Sequence, residues 1–177
     1  NLVKELVITY VNQLWVCDIT YIYTTDDKFC YLHLVTDAFS RMIIGYVLSP
    51  TLEAKYTIEA LQQAISHAGG GNLCGTIHHS DRGVQYCCDE YITQLKAHHI
   101  RISMTEDSNP TDNGMAERVN GIIKNEFLEP LQTPKNLLEA LPLVDHAVRT
   151  YNTLRPHLNL NMRTPAQVYE GNNNFIG

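Results

Sequence analysis

A mixed α/β sheet of five strands flanked by helices is the fold class that this 177-residue sequence predicts. Three observations carry it. The early part of the chain reads as consecutive short strands, an amphipathic helix separates the third strand from a fourth, and the last third of the chain is helical. Strands that come first, with later ones inserted by crossover, give a sheet with both antiparallel and parallel neighbours. Composition fits one compact domain over residues 1–177: 44% of residues are hydrophobic and 18% charged, and a chain of this length buries roughly 70% of the surface its unfolded form exposes. A disulfide-rich miniprotein is excluded.

Leu14 to Tyr23, Phe29 to Thr36 and Met42 to Leu48 have the apolar, β-branched character of strands. Turn-forming Thr24-Thr25-Asp26-Asp27-Lys28 and Asp37-Ala38-Phe39-Ser40 separate them, so an antiparallel meander is expected. From Leu52 to Ala68, the residues Ala54, Ile58, Leu61, Ile65 and Ala68 line one helical face, and Gly69-Gly70-Gly71 ends the helix. Leu73 to His78 is the expected fourth strand, Asp89 to His98 a second helix and Ile100 to Met104 the fifth strand. Thr105 to Thr111 is polar and is read as an exposed, mobile loop. A long helix is expected over about Asp112 to Leu128, with Asp112 and Asn113 as its cap. Another is expected over Asn136 to Asn152, with Pro142 as a kink and Leu137, Leu141, Val144, Val148 and Tyr151 buried. Thr164-Pro165 opens a short last helix, Ala166 to Tyr169.

The five cysteines, Cys17, Cys30, Cys74, Cys87 and Cys88, are odd in number and scattered, which fits reduced thiols and a cytoplasmic protein. No pair has the spacing of a structural zinc site. The longest apolar runs are far too short to span a bilayer, and no basic stretch leads into an apolar segment after Asn1, so neither a membrane span nor a secretory signal is expected and the chain is read as a fragment. Thirteen Lys and Arg against nineteen Asp and Glu give a net charge of −6, the wrong sign for a domain held to nucleic acid by bulk electrostatics. A metal-dependent nucleic-acid enzyme with its DNA grip elsewhere remains compatible, because its site is built from carboxylates.

Three carboxylates stand out. Asp18 lies inside the first strand, in Trp15-Val16-Cys17-Asp18-Ile19-Thr20-Tyr21, where an ionised group is costly unless paired, hydrogen-bonded or bound to a cation. Asp81 follows the fourth strand in His78-His79-Ser80-Asp81-Arg82-Gly83-Val84-Gln85-Tyr86, where sheets of this kind open a crevice beside a crossover. Glu117 shares a helical stripe with Asn113, Asn120 and Lys124, while Met115, Val119, Ile122 and Ile123 take much of the rest of that helix. Carboxylates converging from two strands and a helix make a site for hard cations, Mg2+ or Mn2+, and two such ions suit an in-line phosphoryl displacement. Other readings stand beside this one. Asp37 reads as a turn former rather than a ligand, Asp81 alone as the head of an Asx turn, and His78 and His79 as packed strand-end histidines. Tyr151 and Arg155 are structural, or the Arg-Pro-His segment touches DNA phosphates.

Asp81 and Glu117 are separated by 35 residues. With W-x-x-D-I-T-Y, H-S-D-R-G-x-Q-Y and D-N-G-x-x-E-R-x-N-x-x-x-K, and with the late Tyr151-Asn152-Thr153-Leu154-Arg155-Pro156-His157 and Thr164-Pro165, the chain resembles the D,D(35)E catalytic core of retroviral integrases and IS3-group insertion-sequence transposases from about Trp15 to Glu170. The resemblance implies a ribonuclease H-like fold and a polynucleotidyl transferase that cleaves the element's ends with water and joins the freed 3′-hydroxyl to another phosphodiester. It implies Asp18, Asp81 and Glu117 as the catalytic, metal-binding triad, with Mg2+ or Mn2+ as cofactor. Double-stranded DNA is the implied partner, contacted by Lys124, with Asn113 and Asn120 on the same stripe. The resemblance also implies a homo-oligomer, and a helix-turn-helix DNA-binding region upstream that these 177 residues do not contain. The competing readings are a ribonuclease H or resolvase-type nuclease, and a non-catalytic DNA-binding or assembly module.

Overall fold

The structure, a computed structural model, describes residues 1–106 and 113–173. The chain opens with the expected meander: β1 (Leu14–Thr24) and β2 (Lys28–Asp37) pair antiparallel from Trp15 opposite Asp37 to Thr24 opposite Lys28, and β2 pairs antiparallel with β3 (Ile43–Ser49). Lys28 takes a left-handed φ of 70°, which closes the hairpin loop in the twist its strands require. Helix α1 (Ala54–His67) then carries the chain across the sheet to β4 (Ile77–Ser80), which lies parallel to β1, and β5 (Arg101–Met104) lies parallel to β4. The strand order is β3-β2-β1-β4-β5, so β1 is central, antiparallel to one neighbour and parallel to the other.

Helices cover both faces. On one side, α1 and α3 (Asp89–Ala97), joined by the one-turn α2 (Val84–Cys87), bury Ile58, Leu61, Tyr91 and Leu95 against Trp15, Cys17 and Val35. On the other, α4 (Gly114–Ile122), its π-helical continuation Ile123–Leu128 and α5 (Leu137–Thr153) bury Val119, Ile123, Val144, Val148 and Tyr151 against Leu32 and Leu34. Alternation along β1 assigns the faces: Trp15 and Cys17 point to α1, while the side chain of Asp18 emerges on the α4 side. A short 3-10 turn (Leu158–Leu160) and α6 (Pro165–Asn173) complete the described chain. Among the described residues no helix is long and apolar enough to cross a membrane.

Where structure and sequence pattern differ, buried polar residues are the reason. The fourth strand was expected at Leu73 to His78 and runs instead over Ile77–Ser80, because Gly75 turns at a φ of 104° and the polar His78, His79 and Ser80 are buried. Their burial is supported by partners: His78 Nε2 lies 2.8 Å from the Tyr91 hydroxyl and His79 Nδ1 2.9 Å from Ser103 Oγ. Helix α4 starts at Gly114, and its last turns widen to π geometry, where a plain α-helix was expected. Asp112 and the expected loop beyond Glu106 lie outside the described residues. Helix α5 continues through Pro142, which is exposed, and α6 extends past Tyr169.

Gly45 sets how closely α1 approaches the sheet, since a Cβ there would lie 2.2 Å from the Ala60 carbonyl oxygen. Gly45→Ala is expected to push α1 off β3 and cost about 1–3 kcal/mol in chemical denaturation. His33 is buried with Nδ1 2.8 Å from Thr57 Oγ1 and Nε2 2.9 Å from Ser49 Oγ, and burial pushes its pKa down to about 4. A histidine whose folded pKa lies below its unfolded value of 6.5 contributes stability that is complete above 6.5 and lost as pH falls towards 4. Asp18 and Asp37, whose carboxyls burial raises, act in the opposite sense, so the histidine is read by difference. The stability advantage of the wild type over His33→Gln should shrink by about 1.4 kcal/mol per pH unit below 6.5, measured by urea titration at several pH values.

Candidate active site

The register of β1 on β4 places the first two carboxylates. Leu14, Trp15 and Val16 stand opposite Ile77, His78 and His79; continued two places, the same register sets Asp18 opposite Asp81, just where β4 has ended at Ser80. The strand end frees the backbone of Asp81 to turn, and its Oδ1 accepts a 2.9 Å hydrogen bond from the Gly83 amide in an Asx turn. The Asx-turn reading of Asp81 and its place beside Asp18 therefore hold together. A Cβ at Gly83 would lie 2.9 Å from Asp81 Oδ1 and 3.2 Å from Gln85 Oε1, so a larger residue there would displace these side chains.

The third carboxylate arrives on α4. Asn113, at the N-cap position, makes no side-chain cap; its Nδ2 instead donates to the Cys17 carbonyl oxygen at 3.1 Å. Two helical turns on, Asn120 Nδ2 donates to Asp18 Oδ2 at 2.7 Å. These two asparagines fasten α4 across β1, with Glu117 between them in the helix's first turn. Both are buried, at 6% and 5% exposure, so these two side chains, expected on the DNA-facing stripe, are turned onto the central strand. Glu117 itself is exposed, and Lys124 is half-buried in the π-helical segment.

Electrostatics shows that the carboxylates share one neighbourhood. The Asp18 carboxyl is raised to about 6, by burial foremost and to a smaller extent by the charges of Asp81 and Glu117, against the lowering effect of hydrogen bonds from Ile19 and Asn120. Tyr86 lies buried close by: burial foremost, then Cys17, Asp18 and Asp81, holds its hydroxyl well above the usual tyrosine range. The part of Gly83 and Tyr86 was not assigned from sequence, although both stand in the His78–Tyr86 motif. Asp37 lies elsewhere, opposite Trp15, and its oxygens take hydrogen bonds from the Asn12 amide (2.7 Å), the Ser40 amide (2.8 Å) and the Ser40 hydroxyl (2.6 Å), as a turn former does. Tyr151 donates to the Arg41 carbonyl oxygen at 2.9 Å, and Arg155 clasps Glu126 through two bonds of 2.6 and 2.7 Å, so both secure the α5 side of the fold.

The donor set suits a hard divalent cation in kind: carboxylate oxygens, with the buried Asn120 Oδ1 left as an acceptor without a partner, of the sort a metal-bound water satisfies. The three carboxylates are near enough to repel but are not drawn in: among the described residues no three His, Cys, Asp or Glu side chains form a ready ligand cage.

Two profiles of one family, the integrase core domain, match residues 9–110 and 98–165. The putative transposase for insertion sequence element IS986/IS6110 of Mycobacterium tuberculosis is 36% identical over 122 residues, covering 67% of this chain and 44% of that protein. Transposase InsF for insertion sequence IS3A of Escherichia coli is 34% identical over 146 residues, covering 82% of this chain and 50% of its own length. The chain thus spans about half the length of these curated relatives. The HTLV-2 integrase catalytic core domain in complex with magnesium, in its dimeric form, superimposes with a TM-score of 0.69 at 26% identity, covering 90% of this chain and 97% of that one. A trimeric form of the same domain gives a TM-score of 0.66 at 27% identity, over 89% and 96%.

Gly83→Ala is expected to lower stability by less than about 1 kcal/mol, since the segment is on the surface, yet to break the Gly83–Asp81 hydrogen bond and swing the carboxylate away from Asp18. Thermal melting together with a crystal structure of the variant checks both parts; an unmoved Asp81 would refute the steric argument.

Proposed function

The chain belongs to the integrase core domain family, and from that premise we propose that it is the polynucleotidyl transferase core of an insertion-sequence transposase, acting on DNA. The observation that carries the proposal is that Asp18, held by Asn120 inside the central strand, is raised to about 6, by burial foremost and to a smaller extent by the charges of Asp81 and Glu117. A carboxylate perturbed by burial and by two further carboxylates marks a candidate functional site, and a bound cation would offset the repulsion.

In this reading Asp18, Asp81 and Glu117 hold Mg2+ or Mn2+, two ions when DNA is bound. The metal supplies charge stabilisation for the attacking and leaving oxygens of an in-line phosphoryl displacement. The chain's own residues supply position. Asn120 fixes the Asp18 carboxylate through its 2.7 Å bond, Asn113 pins the start of α4 to β1, and the Asx turn at Gly83 orients Asp81. Lys124, two turns beyond Glu117, would meet the DNA backbone as a point charge. Each displacement breaks one phosphorus–oxygen bond and forms another: water opens the strand at the element's end, and the freed 3′-hydroxyl then opens a target phosphodiester and joins it. Two DNA ends require two such sites, which fits the dimeric and trimeric forms recorded for the HTLV-2 core. A cytoplasmic location agrees with the free thiols of all five cysteines.

The test uses a longer protein containing this core and DNA bearing the element's terminal repeats. Asp81→Asn and Glu117→Gln should each reduce Mg2+-dependent strand transfer by roughly a thousandfold or more while leaving DNA binding in place. Undiminished joining would overturn the assignment. Nicked products without joined ones would point instead to a ribonuclease H or resolvase-type hydrolase, and metal-independent binding without any cleavage to an assembly module.

A further inference from the structure

Positive charge is scarce in this chain, which has 13 Lys and Arg and a net charge of −6. Yet Arg41, Arg118 and Arg155 all line one cavity of about 820 Å3, beside the buried His79 and a His157 whose pKa burial foremost, then Arg155, lowers, and no Asp or Glu among the described residues does. The cavity lies between β1, the first turns of α4 and the segment that follows α5, with Leu14, Val16 and Val119 as an apolar floor. Arg118 is one position, about 100° of helical rotation, from Glu117, so the cavity and the third carboxylate meet at the start of α4.

The arginines are not equally committed. Arg155 is neutralised by its double contact with Glu126. Arg41 and Arg118 form no ion pair among the described residues. Arg41 is half-buried with its guanidinium against the Met115 sulfur, and the nearest carboxylate it feels, Asp37, is occupied by Asn12 and Ser40. Burial foremost, and the charge of Arg118 to a smaller extent, pushes the Arg41 guanidinium below its usual range, against the pull of Tyr151 and Asp37. Two like charges held together at the mouth of an apolar cavity are offset best by a bound anion with fork-shaped acceptors, and phosphate has that geometry. A volume of this size takes a nucleotide unit.

We propose that this cavity seats the backbone of a DNA strand, with a phosphate taken by Arg41 and Arg118 and the adjoining deoxyribose over the apolar floor. The inference rests on the reading of the chain as a DNA-processing core and deepens it. Phosphate contacts set register rather than sequence preference, and Arg118 stands next to Glu117 on α4, so a strand held here has its position fixed relative to the carboxylates.

The experiment is fluorescence-anisotropy titration of a labelled DNA duplex with the chain carrying Glu117→Gln, without divalent metal, across a range of salt concentrations. Adding Arg118→Ala should weaken binding roughly tenfold on duplexes of any sequence and reduce the slope of log affinity against log salt by about one. Arg41→Gln should do the same, and because Arg118 is exposed, its variant is informative even if Arg41→Gln folds poorly. Absence of salt-dependent binding by the parent chain, or an unchanged affinity and slope in the Arg118 variant, overturns the proposal and leaves the carboxylate reading standing. A free deoxynucleoside monophosphate that binds as tightly as the duplex and depends equally on Arg118 overturns the DNA assignment in favour of a free nucleotide. Loss of the carboxylate reading would appear separately, as strand transfer indifferent to Asp81→Asn.

Discussion

An ionisable carboxylate in the middle of the central strand is the constraint on which the rest of this structure turns. Asp18 is partly removed from water, flanked by two further negative charges, and raised to about 6 as a result. Isolated, such a group is costly to bury. The fold meets that cost with a hydrogen bond from Asn120 and by ending β4 at Ser80, one residue past the β1 pairing, so that the neighbouring carboxylate turns towards solvent instead of into the sheet.

The same arrangement explains why β1 is central. As the one strand paired antiparallel on one side and parallel on the other, it stands where the meander meets the crossover strands, and that junction is where a mixed sheet presents a strand end beside an intact strand. Helix α4 crosses it there, held at Asn113 and Asn120, and the apolar side of α4 joins the α5 layer through Val119 and Ile123. Packing and chemistry are therefore divided around one helix: one side buries hydrocarbon, one carries Glu117, and a third offers Arg118 to the basic cavity.

Charge distribution bears on the apparent conflict between an acidic chain and the nucleic-acid partner proposed for it. A net charge of −6 opposes non-specific attraction to DNA, yet three arginines line the cavity with no Asp or Glu among the described residues that line it. A net charge describes the molecule at a distance, and the local field at a groove is a property of the fold.

Much of this was legible in the sequence. The meander, the crossover helix and the flanking helices follow from periodicity and turn residues, because apolar burial repeats at the period of the element that carries it. Asp18, Asp81 and Glu117 were singled out by a charge in a strand, a strand-end motif and a spacing. The sequence did not reveal that the strand before Asp81 is built from buried His78, His79 and Ser80, since polar residues read as surface until Tyr91 and Ser103 are seen to satisfy them. Nor did it show that Asn113 and Asn120 face inward, because a stripe on a helix has no sign until the helix is docked. The meeting of Arg41 with Arg118, 77 positions apart, was decided only by the tertiary structure. Local pattern determines which element a residue joins; contacts between elements distant in sequence depend on how whole faces pack, and no short-range signal records that.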